Sequence, residues 1–125
     1  ARGDLRVLVV GGAVPRAGGH PAVYRRVHGG DDFRNNVHTG ASAERADWTE
    51  REEALIARVG PQLRADGLDF VGLDIAAGKV LDVNVYNPGG LRLAGHVHEV
   101  DFTPAVLDAL DIAASRQTTK RADRP

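Results

Sequence analysis

A chain of 125 residues, 42% of them hydrophobic and 26% charged, is long enough for one modest domain with a limited core. The formal net charge of −1 shows no excess of basic residues that would indicate nucleic-acid binding. The sequence also has no cationic amphipathic segment that would indicate binding to a membrane surface. Cysteine is absent, which excludes disulfides, thiolate metal sites and a thiol nucleophile. No apolar run has the length of a signal peptide or a transmembrane helix, so we expect a cytoplasmic protein.

The first part of the chain predicts two paired strands and a long loop. Residues Leu5 to Val10 form an apolar, β-branched run, which is typical of a buried strand. Residues 20–27 are expected to pair with it in the antiparallel direction, and Pro21 restricts that end to an edge or a strand start. Residues 29–40 are rich in Gly, Asn and Asp without a hydrophobic period, so we interpret them as a long loop.

A helix is predicted next. Thr49-Glu-Arg-Glu52 is a capping-box pattern, and Gly67 is expected to end the helix in the left-handed conformation. Pro61 lies inside the helix and predicts a kink near Gly60. The expected apolar stripe consists of Leu55, Ile56, Val59 and Leu63.

Thr103-Pro104 predicts the start of another helix, with Val106, Leu107 and Leu110 on one face. The residues 116–125 are polar and charged, so we expect a disordered tail. Hairpins that alternate with helices favour an α+β fold over residues 1–115, in which helices cover one side of an antiparallel sheet.

A hairpin between these helices carries three oxygen-bearing side chains, those of Asp74, Asp82 and Asn84. Strand side chains alternate between faces, so Asp82 and Asn84 share a face while the intervening valines point toward a core. A three-residue loop over 76–78, with Gly78 left-handed, would pair Asp74 with Val80 and place it on the face of Asp82. A two-residue loop would turn Asp74 to the other side. Two carboxylates and an amide oxygen suit Mg²⁺, although a solvated polar face is the alternative.

The long loop contains a second set of polar groups. Arg34 and Asn36 lie among small residues, and Arg26 ends the strand before the loop. A guanidinium binds carboxylate or phosphate oxygens with two hydrogen bonds, and the amides of Gly-rich turns form anion nests. For each single arginine, the alternative is a solvated surface residue.

Four segments of the chain form a combined pattern. They are Gly3-Asp4-Leu-Arg6-Val-Leu-Val-Val10, Asp32-Phe-Arg34-Asn-Asn36-Val-His, Gly67-Leu-Asp-Phe-Val-Gly-Leu-Asp74 and Asp82-Val-Asn84-Val-Tyr-Asn87-Pro-Gly-Gly90. Together they resemble the C-terminal lobe of an ATP-grasp ligase of the bacterial glutathione synthetase type, with the ribosomal-protein glutamate ligase type next. The resemblance runs from about Gly3 to about Leu110, in the order and with the spacing of the family.

The resemblance implies a fold, cofactors and ligand positions. The fold it implies is an antiparallel sheet with flanking helices. Asp74, Asp82 and Asn84 match the residues that hold Mg²⁺, for which Mn²⁺ can substitute, against the phosphates of ATP. The family usually has Glu at the position of Asp82, which is one methylene shorter.

The resemblance also implies roles for five residues outside the metal positions. Arg34 and Asn36 match positions that face the ATP phosphates and the acyl-phosphate intermediate. Arg26 matches an arginine near the reacting carboxylate. Asp4 and Arg6 match residues at the start of the lobe, Arg6 toward the phosphates.

The implied reaction joins a carboxylate to an amine. The carboxylate attacks the γ-phosphate of ATP, and the amine then displaces phosphate from the acyl phosphate. Arg26 or backbone amides near Gly89-Gly90 would meet the oxyanion, and the turn from Asn87 to Gly90 would border the acceptor substrate. The phosphate-covering loop and the nucleotide-binding lysines of the family have no counterpart here. We therefore expect a partner half in the same or another chain, and no turnover by this chain alone.

Two other interpretations remain. His96-Val-His98-Glu99, taken as a strand, would place both histidines on one face and suggest zinc, although solvated or hydrogen-bonded histidines are the simpler interpretation. The chain is alternatively a non-catalytic assembly module that keeps the ligase fold. Whether it forms a homo-oligomer and which substrates it uses are left open by the sequence.

Overall fold

The computed structural model describes residues 4–26, 43–85 and 90–122, with side chains described as far as residue 116. The strands are β1 (Leu5–Val10), β2 (Arg16–Ala17), β3 (His20–Pro21), β4 (Val23–Arg26), β5 (Ala43–Glu44), β6 (Phe70–Ala76) and β7 (Lys79–Asn84). The helices are α1 (Glu50–Ala65), α2 (Leu91–His98) and α3 (Thr103–Ala122). None of these helices combines the length and the apolar character needed to cross a bilayer.

The main sheet has the strand order β5-β4-β1-β6-β7, and every pairing in it is antiparallel. β1 lies at its centre as a buried strand, with β4 on one side and β6 on the other. The expected α+β fold and the pairing of β1 with the segment after it are therefore confirmed. β2 and β3 form a separate small ribbon within the segment between β1 and β4.

Helices cover the sheet on both faces, so the expectation of helices on one side was wrong. Val7 and Val9 of β1 pack in a cluster with Leu55 of α1, whereas Leu8 packs in a second cluster with Ala94 of α2. Neighbouring residues of a strand point to opposite faces, and here both sets are apolar and buried. β1 is apolar from Val7 to Val10 because it is covered on both faces there.

The first helix follows the sequence prediction closely. Thr49 is the N-cap residue, and Gly67 beyond the C-terminus has a φ of +74°. The Thr49 hydroxyl donates to the Glu52 carboxylate instead of capping a backbone amide. Gly60 lies directly against the backbone of Gly12, so a side chain at either position would collide with the other segment. The kink expected from Pro61 stays a prediction.

The hairpin between β6 and β7 has the shorter of the two turns considered in the sequence analysis. Ala76 pairs with Lys79 across a two-residue turn, Ala77-Gly78, whose φ values of +51° and +74° are both left-handed, as in a type I′ turn. Of the two alternatives considered, the two-residue loop is therefore the one present, and Val80 pairs with Ile75 and not with Asp74.

A β-bulge nevertheless returns Asp74 to the expected face. Ile75 pairs with Val80, but Asp74 pairs with Asp82, which leaves Leu81 as an extra residue in β7. With the two-residue turn alone, Asp74 would lie on the face opposite to Asp82, and the one-residue shift at the bulge reverses this. Asp74 and Asp82 are thus directly opposite and share a face, as expected.

The segments after the hairpin also differ from expectation. His96 to Glu99 were considered as a strand, but α2 is helical to His98. α3 begins at Thr103 as expected, and Leu107 is 57% exposed, so it does not share the buried face of Val106. Adjacent helix positions are about 100° apart, which separates those two side chains. The helix continues to Ala122, and the disorder expected for 116–125 stays a prediction.

Candidate functional site

Two arginines and two aspartates form an ion-pair cluster on the α2 face of the sheet. The Arg6 Nε donates to Asp74 Oδ1 at 2.6 Å, and a terminal nitrogen of Arg26 donates to Asp4 Oδ2 at 2.6 Å. A terminal nitrogen of Arg26 also lies 3.4 Å from Asp74 Oδ2, which joins the two pairs into one network. The Asp74 side chain is 9% exposed and that of Arg6 12%, so these charges are largely removed from water. Buried charges of this kind are stable only when paired.

The sheet register brings these residues together. Arg6 in β1 lies opposite Tyr24 in β4 on one side and opposite Asp74 in β6 on the other. Residues that are directly opposite in antiparallel strands point to the same face. Arg26 lies two residues after Tyr24 in β4 and therefore shares that face. Residues far apart in sequence thus converge because three adjacent strands present them in one row.

Tyr24 is part of this cluster and was missed in the sequence analysis. It is 3% exposed, and its hydroxyl is under the electrostatic influence of Arg6, Arg26 and Asp74. Burial is the main cause that raises the pKa of Tyr24, and the nearby carboxylates act in the same direction against the two arginines. The phenol therefore stays protonated near neutral pH. The sequence signal that could have identified Tyr24 is its position two residues before Arg26 on the same strand, which places both side chains on one face.

Gly90 places the beginning of α2 against the cluster. It has a φ of +91°, and a Cβ atom there would lie 2.8 Å from the Tyr24 hydroxyl oxygen and 3.4 Å from Arg6 Cγ. The backbone at Gly90 therefore approaches the ion pairs more closely than any other residue type would allow. Its carbonyl accepts the first α2 hydrogen bond, from Ala94.

Asp82 and Asn84 extend the polar face to the edge of the sheet. Asp82 is opposite Asp74, and Asn84 is opposite Gly72, two residues earlier in β6. Asp82 is exposed, Asn84 partly buried and Asp74 buried, so the three oxygen-bearing side chains lead from solvent toward the ion pairs. No group of three His, Cys, Asp or Glu side chains in the described parts of the chain could hold a metal ion. A third oxygen ligand would thus be the amide of Asn84.

The opposite face of β7 is less covered than expected. Val83 is 39% exposed and Val85 38%, although both were expected to point at a core. β7 is the edge strand, and the α1 cluster reaches Leu73 and Ile75 of β6 without including these valines among the described residues. Asp82 and Asn84 share a face as expected, but the bulge at Leu81 interrupts the alternation, and the inference of a core behind Val83 and Val85 was wrong.

Arg26 is held as a cation at the accessible end of the cluster. Its hydrogen bond to Asp4 is the main cause that raises its pKa, against the effect of burial, and the charges of Asp74 and Asp4 act in the same direction. The Arg26 side chain is 30% exposed, more than those of Arg6 or Asp4. It is therefore the cation of this network most accessible to an incoming anion.

Other predicted site residues have different outcomes. Arg34, Asn36 and Gly89 lie outside the described residues. The helix α2 removes the strand geometry on which the zinc interpretation depended, because residues two apart on a helix do not face the same way. His98 is buried and hydrogen-bonded, which is the simpler interpretation given above.

Comparison with known proteins identifies the family. Residues 1–99 match the family described as prokaryotic glutathione synthetase, ATP-grasp domain. The glutathione synthetase of Bradyrhizobium diazoefficiens is 35% identical over 109 residues, which are 87% of this chain and 33% of that protein. That of Synechococcus elongatus is 38% identical over 111 residues, 86% of this chain and 32% of that protein.

The glutathione synthetase of Mesorhizobium japonicum is 33% identical over 110 residues, 88% of this chain and 33% of that protein. The chain thus spans about a third of the length of the curated relatives it matches. These matches confirm the resemblance inferred from the four sequence segments. The chain belongs to the prokaryotic glutathione synthetase family and carries part of its ATP-grasp domain.

Proposed function

We propose that this chain forms the Mg²⁺- and phosphate-binding part of an ATP-dependent carboxylate–amine ligase of the glutathione synthetase type. The observation that carries the proposal is the pairing of Asp74 with Asp82 across the bulged hairpin, next to Arg6 and Arg26. Family membership supports the reaction class. Residues outside this chain would complete the enzyme.

The donor set on the hairpin fits Mg²⁺. Asp74 and Asp82 supply carboxylates and Asn84 an amide oxygen, which are hard ligands of the kind that Mg²⁺ prefers. Asp74 Oδ1 accepts the short hydrogen bond from Arg6, whereas guanidinium nitrogens lie 3.4 Å from Oδ2. A carboxylate oxygen has two lone pairs, so Oδ2 can coordinate a cation while Oδ1 stays bound to Arg6. Mg²⁺ at this site would neutralise charge on the ATP phosphates.

The arginines would act on anionic groups of the substrates. Arg6, fixed by Asp74, would act on the phosphates, and Arg26, held by Asp4, would act on the reacting carboxylate. Both side chains are preorganised by ion pairs, so they need little reorganisation when charge develops on the transferring group. Asp4 acts here by orienting Arg26. Arg34 and Asn36 belong to the same proposal as phosphate-facing residues.

The proposed reaction has two steps. A substrate carboxylate attacks the γ-phosphate of ATP to give an acyl phosphate and ADP, and an amine then displaces phosphate to form an amide. In the second step the tetrahedral oxyanion would be met by Arg26 or by backbone amides at the Gly89-Gly90 turn. The close approach of Gly90 to Arg6 and Tyr24 supports a role for this turn beside the reacting groups.

The rest of the ligase would supply the nucleotide-binding lysines and the phosphate-covering loop. The relatives are about three times as long as the matched region, which supports a missing half in the same or a second chain. This chain alone should bind ATP weakly and release no phosphate. A cytoplasmic location fits the use of ATP and belongs to the same proposal.

Phosphate release by the complete enzyme tests the proposal. Release should require ATP, Mg²⁺, a carboxylate substrate and an amine together, and Asp82→Asn should reduce it by at least about 100-fold, because one metal-binding charge is lost. Asp82 is exposed, so the fold should be unaffected. Asp108→Asn, an equally exposed site on α3, should leave turnover unchanged.

A variant that keeps the carboxylate distinguishes loss of the metal ligand from a change in packing. Asp82→Glu keeps the carboxylate and adds one methylene, so it should retain activity within about tenfold of the parent chain. If Asp82→Asn turns over normally, the metal assignment is wrong. If the complete protein releases no phosphate under any substrate condition, the non-catalytic assembly module is the better account.

A further inference from the structure

A buried histidine holds the far end of α2 on the sheet. His98 is 6% exposed, and its Nε2 lies 2.7 Å from the carbonyl oxygen of Val23 in β4. A carbonyl can only accept, so Nε2 must carry the proton and donate. In the neutral ring Nδ1 is then a bare acceptor, and it is buried without a hydrogen-bond partner among the described residues.

The surroundings of His98 disfavour a positive charge. The ring stacks on His20 of β3 with centroids 4.9 Å apart, and the Phe102 ring meets it edge-on at 6.0 Å. The guanidinium of Arg45, just after β5, donates to the Val97 carbonyl at the end of α2. β4 contributes the uncharged Val23 carbonyl. On the helix itself and just after it, the other titratable groups are Arg92, His96, Glu99 and Asp101, all of which are exposed.

These contacts account for the direction in which His98 titrates. Burial is the main cause that lowers the pKa of His98 below 6.5, and His20 and Arg45 act in the same direction. The Val23 carbonyl favours the charged ring but does not outweigh them. A proton added at Nδ1 would be buried beside a second imidazole and a guanidinium, facing no acceptor in the described part of the chain.

The position of α2 depends strongly on its attachments. It has only eight residues, too few for a stable isolated helix, and both ends are left-handed, with φ +91° at Gly90 and +56° at Glu99. Its first end lies against Tyr24, and its last residue, His98, bonds the carbonyl of Val23. Both ends of the helix are therefore held at neighbouring residues of β4.

We propose that neutral His98 is a positioning residue that latches α2 to β4 and so keeps Gly90 beside Arg6 and Tyr24, and that protonation of its ring releases this latch. The consequence for catalysis rests on the proposed function above, whereas the latch itself is a property of the fold. Acid should therefore loosen α2 first. The acceptor-side turn at Gly90 should move away from the ion pairs with it.

The sign of the pH effect follows from linkage. A histidine whose pKa is lower in the folded state contributes stability that is complete above its ordinary value of about 6.5. That stability is lost as the pH falls from about 6.5 toward the lower folded value, because the unfolded chain binds the proton first. One such group changes the folding equilibrium constant by at most about tenfold per pH unit.

Three variants of the complete polypeptide that carries this chain test the latch. His98→Gln offers an amide N–H about as far from Cα as Nε2 and cannot titrate, so its urea unfolding should lack the acid slope between pH 6.5 and 5. His98→Leu leaves the Val23 carbonyl unpaired and should be less stable at every pH. His96→Gln makes the same change at an exposed site of the same helix and should keep the parent slope.

Substrate kinetics then test the link to the site. Between pH 7.5 and 5.5 the KM for the amine should rise several-fold in the parent enzyme and in His96→Gln, but not in His98→Gln, with the KM for ATP alike in all three. A parent acid slope that persists in His98→Gln overturns the latch. Equal amine KM profiles overturn its link to the site. An enzyme without turnover refutes the proposed function, and the unfolding slopes still decide the latch.

Discussion

The two faces of the central sheet use neighbouring residues of the same strands for different purposes. Toward α1, Leu73 and Ile75 of β6 join an apolar cluster with Leu55 and Leu63. Toward α2, their neighbour Asp74 is buried against Arg6 in an ion pair. Both faces pack apolar side chains closely, but among the described residues the α2 face also buries charges that pair with one another.

Residues that stabilise the fold and residues proposed to act chemically therefore alternate along the same strand. Buried ion pairs contribute little net stability, because the cost of removing each charge from water offsets their attraction. The fold therefore depends mainly on apolar packing, of which the α1 face holds the larger cluster. The charged groups of the α2 face are the ones proposed above to bind phosphate, carboxylate and metal. Substitutions at adjacent positions should accordingly change different properties.

Leu73→Ala should have the largest effect on stability. Leu73 is fully buried at the centre of the α1 cluster, and its truncation leaves a cavity that costs about 2–5 kcal/mol. Urea unfolding measures the loss. Leu107→Ala, an exposed leucine on α3, should cost well under 1 kcal/mol. If the two substitutions cost the same, the α1 face is not the stabilising one.

Gly90→Ala should affect the site more than the fold. A left-handed alanine costs about 1–2 kcal/mol, and its Cβ would also collide with the Tyr24 hydroxyl. Gly67→Ala is the matched control, since Gly67 has a φ of +74° and no atom within 4 Å of the added carbon. In urea, Gly67→Ala should lose stability from the strained conformation alone and Gly90→Ala somewhat more, but only Gly90→Ala should lose turnover in the complete enzyme. Equal turnover of the two variants would show that Gly90 is not part of the site.

Glu52→Gln should have the smallest effect and should depend on pH. Burial opposes ionisation of Glu52, but hydrogen bonds from the Thr49 hydroxyl and from backbone amides hold its pKa below 4.5. Its charged form therefore contributes stability above about pH 4.5, which is lost as the pH falls toward the lower folded value. The variant should lose about 1 kcal/mol at pH 7 and less at pH 3. Glu50→Gln, exposed in the same turn, should show neither change.

Local patterns in the sequence predicted most of the fold. The apolar run of β1 and the stripe of α1 each reflect one strong period, and the structure has both. The turn of the hairpin was not predictable in the same way, because Ala77 adopts a left-handed conformation that alanine rarely takes. The bulge at Leu81 then corrected the register, and neither feature has a sequence signal of its own.

The candidate site was predictable only in part. Asp74, Asp82 and Asn84 were recognised because they alternate on one short segment. The ion pair of Arg6 with Asp74 joins residues 68 positions apart, so it follows from strand order and not from local pattern. Tyr24 and His98 were missed as parts of one arrangement because no helix was predicted for the residues of α2.

Metal binding by the complete enzyme tests the central claim most directly. Mn²⁺ can report on the Mg²⁺ site by electron paramagnetic resonance in the presence of ATP. Asp82→Asn should weaken Mn²⁺ binding by at least about tenfold, while Asp108→Asn and Asp82→Glu should bind it within a few-fold of the parent protein. Unchanged Mn²⁺ affinity in Asp82→Asn would contradict the assignment of the α2 face of the hairpin as the metal site.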